Sequence, residues 1–230
     1  MFRSGLVIFF MTFFIACYID KPTGSSTVGS SFETDLAPLL SDNCATSGCH
    51  DTETGIAALN FEISDVRLAT DVFGVIETAN LLDTTTPADS LLLTQASNSD
   101  ENDPHTGGEV FALDSTAYEN LLAWITDGAL NDDCSNVDHS FATDVLPAFA
   151  SCNTVGCHDS DHSLNLLAGD AFASIVSNDV VNTDNPIASR LLQYSLGNES
   201  HPPGAVFTSP NDNDFRTIFC WIKVDQAVEN

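Results

Sequence analysis

From residue 30 onward the apolar side chains of this chain recur at three- and four-residue intervals, and no stretch alternates convincingly as a half-buried strand would. Phe32, Leu36, Leu39 and Leu40 fall on one helical stripe, and Phe141, Val145 and Phe149 on another. Pro87 and Pro186 suit the first turn of a helix, each behind a polar residue, Thr86 or Asn185, that can cap it. A later helix can be capped by Asp114 or Ser115 and stop at Gly128. Trp124 and Trp221 read as core aromatics. The pattern predicts a mostly α protein.

The pattern also repeats, in order and with loops of different length. "SFETDLAPLLSDNCATSGCHD" from Ser31 matches "SFATDVLPAFASCNTVGCHD" from Ser140. "DVFGVI" from Asp71 parallels "DAFASI" from Asp170, and "PADSLLLTQ" from Pro87 parallels "PIASRLLQY" from Pro186. "HTGGEVF" from His105 parallels "HPPGAVF" from His201, and "YENLLAWI" from Tyr118 parallels "FRTIFCWI" from Phe215. This order predicts two domains, residues 31–133 and 134–230, with the boundary inside "NDDCSNVDH".

Charge narrows the partners. The 230 residues carry 33 acidic and 6 basic side chains, a net charge of −27. Phosphate contacts need Lys and Arg, so nucleic acid is excluded as a partner, and an anionic membrane surface is disfavoured. Solubility, or a saline habitat, is the plain explanation. Steering toward a basic partner is the functional one. At the N-terminus, Arg3 precedes the apolar run "LVIFFMTFFIA", short for a bilayer span but suited to a signal peptide over residues 1–16. It ends in "FIAC", which resembles the lipobox of bacterial lipoproteins, with Phe14 where Leu is usual. The resemblance implies cleavage before a lipidated Cys17. Residues 17–30, rich in Ser, Thr and Gly, read as a flexible tether. The expectation is an exported lipoprotein facing the periplasm or the cell surface, held at the outer membrane by its lipid alone.

The repeated Cys-x4-Cys-His carries the candidate chemistry. Two cysteines followed at once by histidine form the attachment pattern of c-type haem, each thiol adding to one vinyl group while the histidine ligates iron. The commoner spacing places two residues between the cysteines; four is a variant. Zinc sites and plain disulfides use the same residue types. Two copies in matched surroundings predict two covalently bound haem c groups. Cys44 and Cys49 would hold one and Cys152 and Cys157 the other, with His50 and His158 as proximal iron ligands.

With "FETDLAPLL" and "FATDVLPAF" before these motifs, and "WITDGA" and "WIKVDQA" near the two ends, the chain resembles the class I cytochrome c family, especially its planctomycete-type domains. The resemblance implies two tandem small helical cytochrome c domains, each wrapped around one covalent haem, with first and last helices packed across one another. The family's sixth iron ligand is usually Met, but the only methionines are Met1 and Met11, inside the signal peptide. His105 and His201 stand at that place, as distal ligands or as turn histidines beside the haem. His139 and His162 have no repeated counterpart and read as surface residues. Bis-His ligation and an acidic surround imply low potentials.

The function this implies is an exported dihaem electron carrier, not an enzyme, serving redox proteins with basic faces. A dihaem peroxidase and a haem subunit of a larger complex or filament are the rivals. No catalytic residues are assigned. Cys134 and Cys220 remain, either as a disulfide clamping the two domains or as a free thiol and a buried apolar residue. The acidic loops around Asp100 and Asp212 lack the pattern of a calcium loop.

Overall fold

The computed structural model describes residues 30–229 apart from 54, 200, 202 and 203. The expected signal peptide, the lipidation candidate Cys17 and nearly all of the expected tether lie outside the described residues. Eight α-helices and no strand make up the described chain. The first half holds α1 (Ala37–Cys44), α2 (Ala69–Thr78), α3 (Leu91–Ala96) and α4 (Thr116–Thr126). The second half holds α5 (Leu146–Ala148), α6 (Ala171–Ser177), α7 (Arg190–Ser195) and α8 (Asn213–Asp225).

Each half opens with a wide π turn, Phe32–Leu36 before α1 and Phe141–Val145 before α5. A proline follows two residues after each, Pro38 and Pro147, and has no N–H to give the preceding turn. The turn opens instead into i→i+5 bonds, Ala37 N–H to the Phe32 carbonyl and Leu146 N–H to that of Phe141. An aspartate locks the start of both turns, Asp35 accepting from Ser31 N–H and Asp144 from Ser140 N–H, each at 2.9 Å.

The turns deliver Phe32 and Phe141 to equivalent aromatic clusters. Phe32 stacks on Trp124 with ring centroids 5.1 Å apart and meets Phe73 edge-on at 5.3 Å. Phe141 lies 5.2 Å from Trp221 and 5.3 Å from Phe172. Both indole N–H groups are satisfied by backbone carbonyls, Leu130 at 3.0 Å and Val228 at 2.8 Å. Buried apolar residues form two clusters, one within residues 32–129 and one within 134–227.

Ser115 caps α4, its hydroxyl accepting from Tyr118 N–H, and Gly128 follows in the left-handed region at φ +96°. Thr86 and Asn185 do not cap. The residue before a proline is driven out of the helical region, and Pro87–Asp89 and Pro186–Ala188 form single 3₁₀ turns ahead of α3 and α7. Asp83 and Asn182 cap from further back, receiving the N–H groups of Thr85 and Thr86 and of Asp184 and Asn185. The mostly α expectation stands as an all-helical, strand-free fold. Its finer part, cytochrome c domains each wrapped around a haem, is not carried by this fold and is corrected below.

The halves meet at a polar junction. Asn211 accepts from Asn131 N–H at 2.8 Å and returns a bond to the Ala129 carbonyl at 2.8 Å. Arg216 of α8 donates to the carbonyls of Asn131 and Asp133 at 3.1 and 2.7 Å. Lys223, also on α8, donates to the Asp132 carbonyl at 2.6 Å and pairs with Glu33 of the first half at 2.9 Å. Hydrogen bonds from Ser135 and Thr70, with Arg216 nearby, hold the Asp133 carboxyl below the usual carboxylate range although burial opposes them. A side chain on Gly128 would come within 3.0 Å of Pro210 Cγ, so its lack of a Cβ permits the close approach.

A disulfide joins Cys134 to Cys220 of α8 across 86 residues, both cysteines buried. Closing a loop of that length restricts the unfolded chain. C134S/C220S should therefore lose roughly 2–4 kcal/mol of stability in denaturant unfolding; unchanged stability would show that packing alone holds α8 to the start of the second half.

Candidate functional site

Each half brings two histidines together. His50, just beyond the loop after α1, lies near-parallel to His105, with ring centroids 6.2 Å apart and planes inclined by 11°. His158 and His201 repeat this at 6.0 Å and 15°. Backbone carbonyls orient all four rings through Nδ1: Ile56 for His50 at 3.1 Å, Gly108 for His105 at 3.0 Å, Leu164 for His158 at 2.9 Å and Gly204 for His201 at 3.0 Å. A carbonyl only accepts, so each Nδ1 carries a proton, and of the two neutral tautomers each ring is held in the one with its lone pair on Nε2. Burial, above all, pushes His158 below the usual histidine range, and His162 and His201 add to the shift.

The surrounding turns are specific to these rings. Asp51 accepts from Gly48 N–H at 3.1 Å and Asp159 from Gly156 N–H at 2.8 Å, which folds each Cys-x4-Cys loop back on itself. Gly48 and Gly156 take φ +85° and +83°, the region that favours glycine. His50 N–H closes on the Cys44 carbonyl and His158 N–H on that of Cys152, each at 3.1 Å. At the other ring, a Cβ on Gly107 would stand 3.0 Å from His105 Cε1.

Cys44, Cys49, Cys152 and Cys157 stand in no disulfide and are half-buried. Burial, helped by Cys49, pushes the Cys44 thiol up to about 11, and burial raises Cys152 as well. A thiol so raised stays protonated at neutral pH, a poor nucleophile and a poor metal ligand in that form.

The loops that bear the sites are acidic. Glu101, Asp103 and Glu109 are exposed around His105 in sequence, and Asp51 and Glu62 line an open groove with Arg67. Arg67 donates to the Asn60 carbonyl at 2.7 Å.

Searches of protein families, of curated proteins and of solved structures find no match to the chain. The assignment to the class I cytochrome c family is therefore withdrawn. The expectation of covalent haem is withdrawn with it. Among the described residues no three or more His, Cys, Asp or Glu side chains gather as a metal-holding group. Each half supplies two imidazoles, and burial raises the thiols of Cys44 and Cys152. The one cysteine pairing among the described residues is the distant Cys134–Cys220 bridge. Cys44, Cys49, Cys152 and Cys157 stand in no disulfide, and their expected role as haem thioethers falls with the cofactor. His50, His105, His158 and His201 are paired imidazoles rather than ligands of haem iron. The dihaem electron-carrier function, its low potentials and the peroxidase and haem-subunit rivals rested on the same cofactor and go with it.

His162, which the sequence pattern places on the surface, contacts His158 with 4.5 Å between ring centroids. Its lack of a repeated counterpart concealed this role.

The correction to the cysteines is open to direct test. Denaturing the protein without reductant and alkylating it should modify Cys44, Cys49, Cys152 and Cys157 and spare Cys134 and Cys220. A Cys-x4-Cys pair that resists alkylation and carries added mass in intact-protein mass spectrometry would overturn the correction and return covalent attachment.

Proposed function

We propose that this chain is an exported, non-enzymatic docking protein whose acidic two-part helical body binds basic partner proteins. One observation carries the reading: the few cations are turned inward. Of the four described, Arg216 and Lys223 are bound into the junction and Arg67 holds a backbone carbonyl. Arg190 alone of these is exposed, lying over Tyr194 on α7. Cations so placed do little to offset the anions outside, and the field the protein projects is close to that of its carboxylates.

The charge is also uneven. Residues 31–133 hold 20 acidic side chains and one basic, whereas residues 134–230 hold 12 and three. This favours the first half as the docking side, over the loops that carry His50 and His105. Division of the chain into domains at 133/134 is part of the same proposal, supported by the separate apolar clusters. Export is supported by the N-terminal "LVIFFMTFFIA" and by the disulfide, which needs an oxidising compartment. Retention at a membrane through a lipidated Cys17 belongs to the proposal. Among the described residues no helix is long and apolar enough to cross a membrane. The redox character of the partners rested on the haem and is not carried forward.

Binding of a basic globular protein with a lysine-rich face tests this, with its lysine-acetylated form as control. Affinity should fall roughly tenfold or more as ionic strength rises to about 0.15 M, where the screening length is about 8 Å. It should also fall in E101Q/D103N/E109Q and be lost on acetylation. Binding indifferent to salt and acetylation, in a protein that folds only in concentrated salt, would assign the charge to a saline habitat instead.

A further inference from the structure

The two imidazole pairs are matched in spacing and in their backbone anchors, yet their surroundings differ: Tyr194 meets His201 edge-on at 6.1 Å where the first repeat has Gln95, and the larger difference lies beside His50 and His158. In the first half Phe61 closes the loop, its N–H bonding the His50 carbonyl at 2.9 Å and its ring meeting His50 edge-on at 5.4 Å. The residue making the same backbone bond in the second half is Leu166, whose N–H meets the His158 carbonyl at 2.9 Å. Leucine has no ring to offer. The edge-on partner of His158 is His162, with centroids 4.5 Å apart and planes at 73°. Thr54 stands at the matching place of the first repeat.

His162 does more than fill the gap left by the aromatic ring. Its Nδ1 accepts from Leu164 N–H at 3.1 Å, while the carbonyl of the same Leu164 accepts from His158 Nδ1–H at 2.9 Å. One backbone residue thus joins two imidazoles of opposite tautomer, His158 with its proton on Nδ1 and His162 with its proton on Nε2. Because the Leu164 N–H can only donate, His162 cannot carry an Nδ1 proton while this bond lasts. The 3.3 Å approach of His162 Nδ1 to the Leu164 carbonyl is then a contact and no hydrogen bond.

We infer that His162 is a positioning residue for the second imidazole pair, holding Leu164 and the edge of His158 so that His158 keeps its Nδ1–H tautomer and its alignment with His201. The first repeat carries threonine in place of this histidine, and its pair relies on Phe61. The two sites are therefore inequivalent despite their shared plan, the second resting on a polar relay and the first on an apolar ring.

Long-range ¹H–¹⁵N spectra of the imidazoles, with amide exchange at Leu164, test this in the full chain. H162A should move the His158 and His201 ring resonances and speed exchange at Leu164 roughly fivefold to tenfold, the effect of losing one hydrogen bond. His50 and His105 should stay where they are. H162F should restore the ring shifts of His158 without the Leu164 protection, and H162N should restore that protection without the ring shifts. His158 resonances and Leu164 exchange unmoved in H162A would overturn the inference. So would displacement of all four imidazoles together, which would mark a general loosening of the fold.

Discussion

Repulsion between like charges is the constraint this structure answers. The two halves carry 32 acidic side chains against four basic ones, and bringing two such bodies together in one chain costs free energy that grows as salt is removed. The response is concentrated where they touch. Arg216 and Lys223 project from the same helix, α8, into carbonyls and carboxylates of residues 33 and 131–133. The Cys134–Cys220 bridge ties that same helix to the chain leaving the first half. A helix of the second half therefore holds the first by charge and by hydrogen bonds, and the bridge fixes that helix to Cys134, where the second half begins. With these cations at the junction, the outer surface is left to its carboxylates, and the proposed affinity for basic partners follows from that arrangement.

Inside each half, backbone carbonyls rather than side chains set the chemistry of the histidines. A carbonyl at Nδ1 fixes ring orientation and selects the Nδ1–H tautomer in all four cases. The carbonyls sit on turns made possible by glycine at positive φ and by short aspartate-bonded loops, so the repeated motif is as much a turn design as a set of reactive residues. Burial drives the Cys44 and Cys152 thiols toward their protonated form. The second half keeps the plan while exchanging Phe61 for the pairing of His162 with Leu164.

What the sequence disclosed, and what it concealed, follows the range of the interactions. The stripes around Phe32 and Phe141, the buried tryptophans and the Ser115 cap were legible because period and capping chemistry act over a few residues. Thr86 and Asn185 misled because the proline after each changes its backbone, and the caps moved to Asp83 and Asn182. The junction was not legible beyond its disulfide candidates: Arg216 and Lys223 bond backbone oxygens some 80 to 90 positions away, and a carbonyl has no signature in a sequence. The pairing of His50 with His105 and of His158 with His201 was visible as a repeat. The chemistry read into it was not upheld, because a motif names donors and says nothing of how many converge. His162 escaped notice because repeat logic ranks a residue by its counterpart, and this residue matters through a substitution elsewhere, Leu166 in the place of Phe61.

The most direct test of the account is small-angle X-ray scattering of the wild type and of R216Q/K223Q, which lacks the two cations that cross the junction, across ionic strength. If the junction holds two repelling halves together, the variant should expand as salt is lowered and return to the wild-type radius at about 0.15 M, where screening reaches about 8 Å, while the wild type stays compact throughout. A variant as compact as the wild type at the lowest salt would contradict the account, because repulsion between the halves would then not be what the junction opposes.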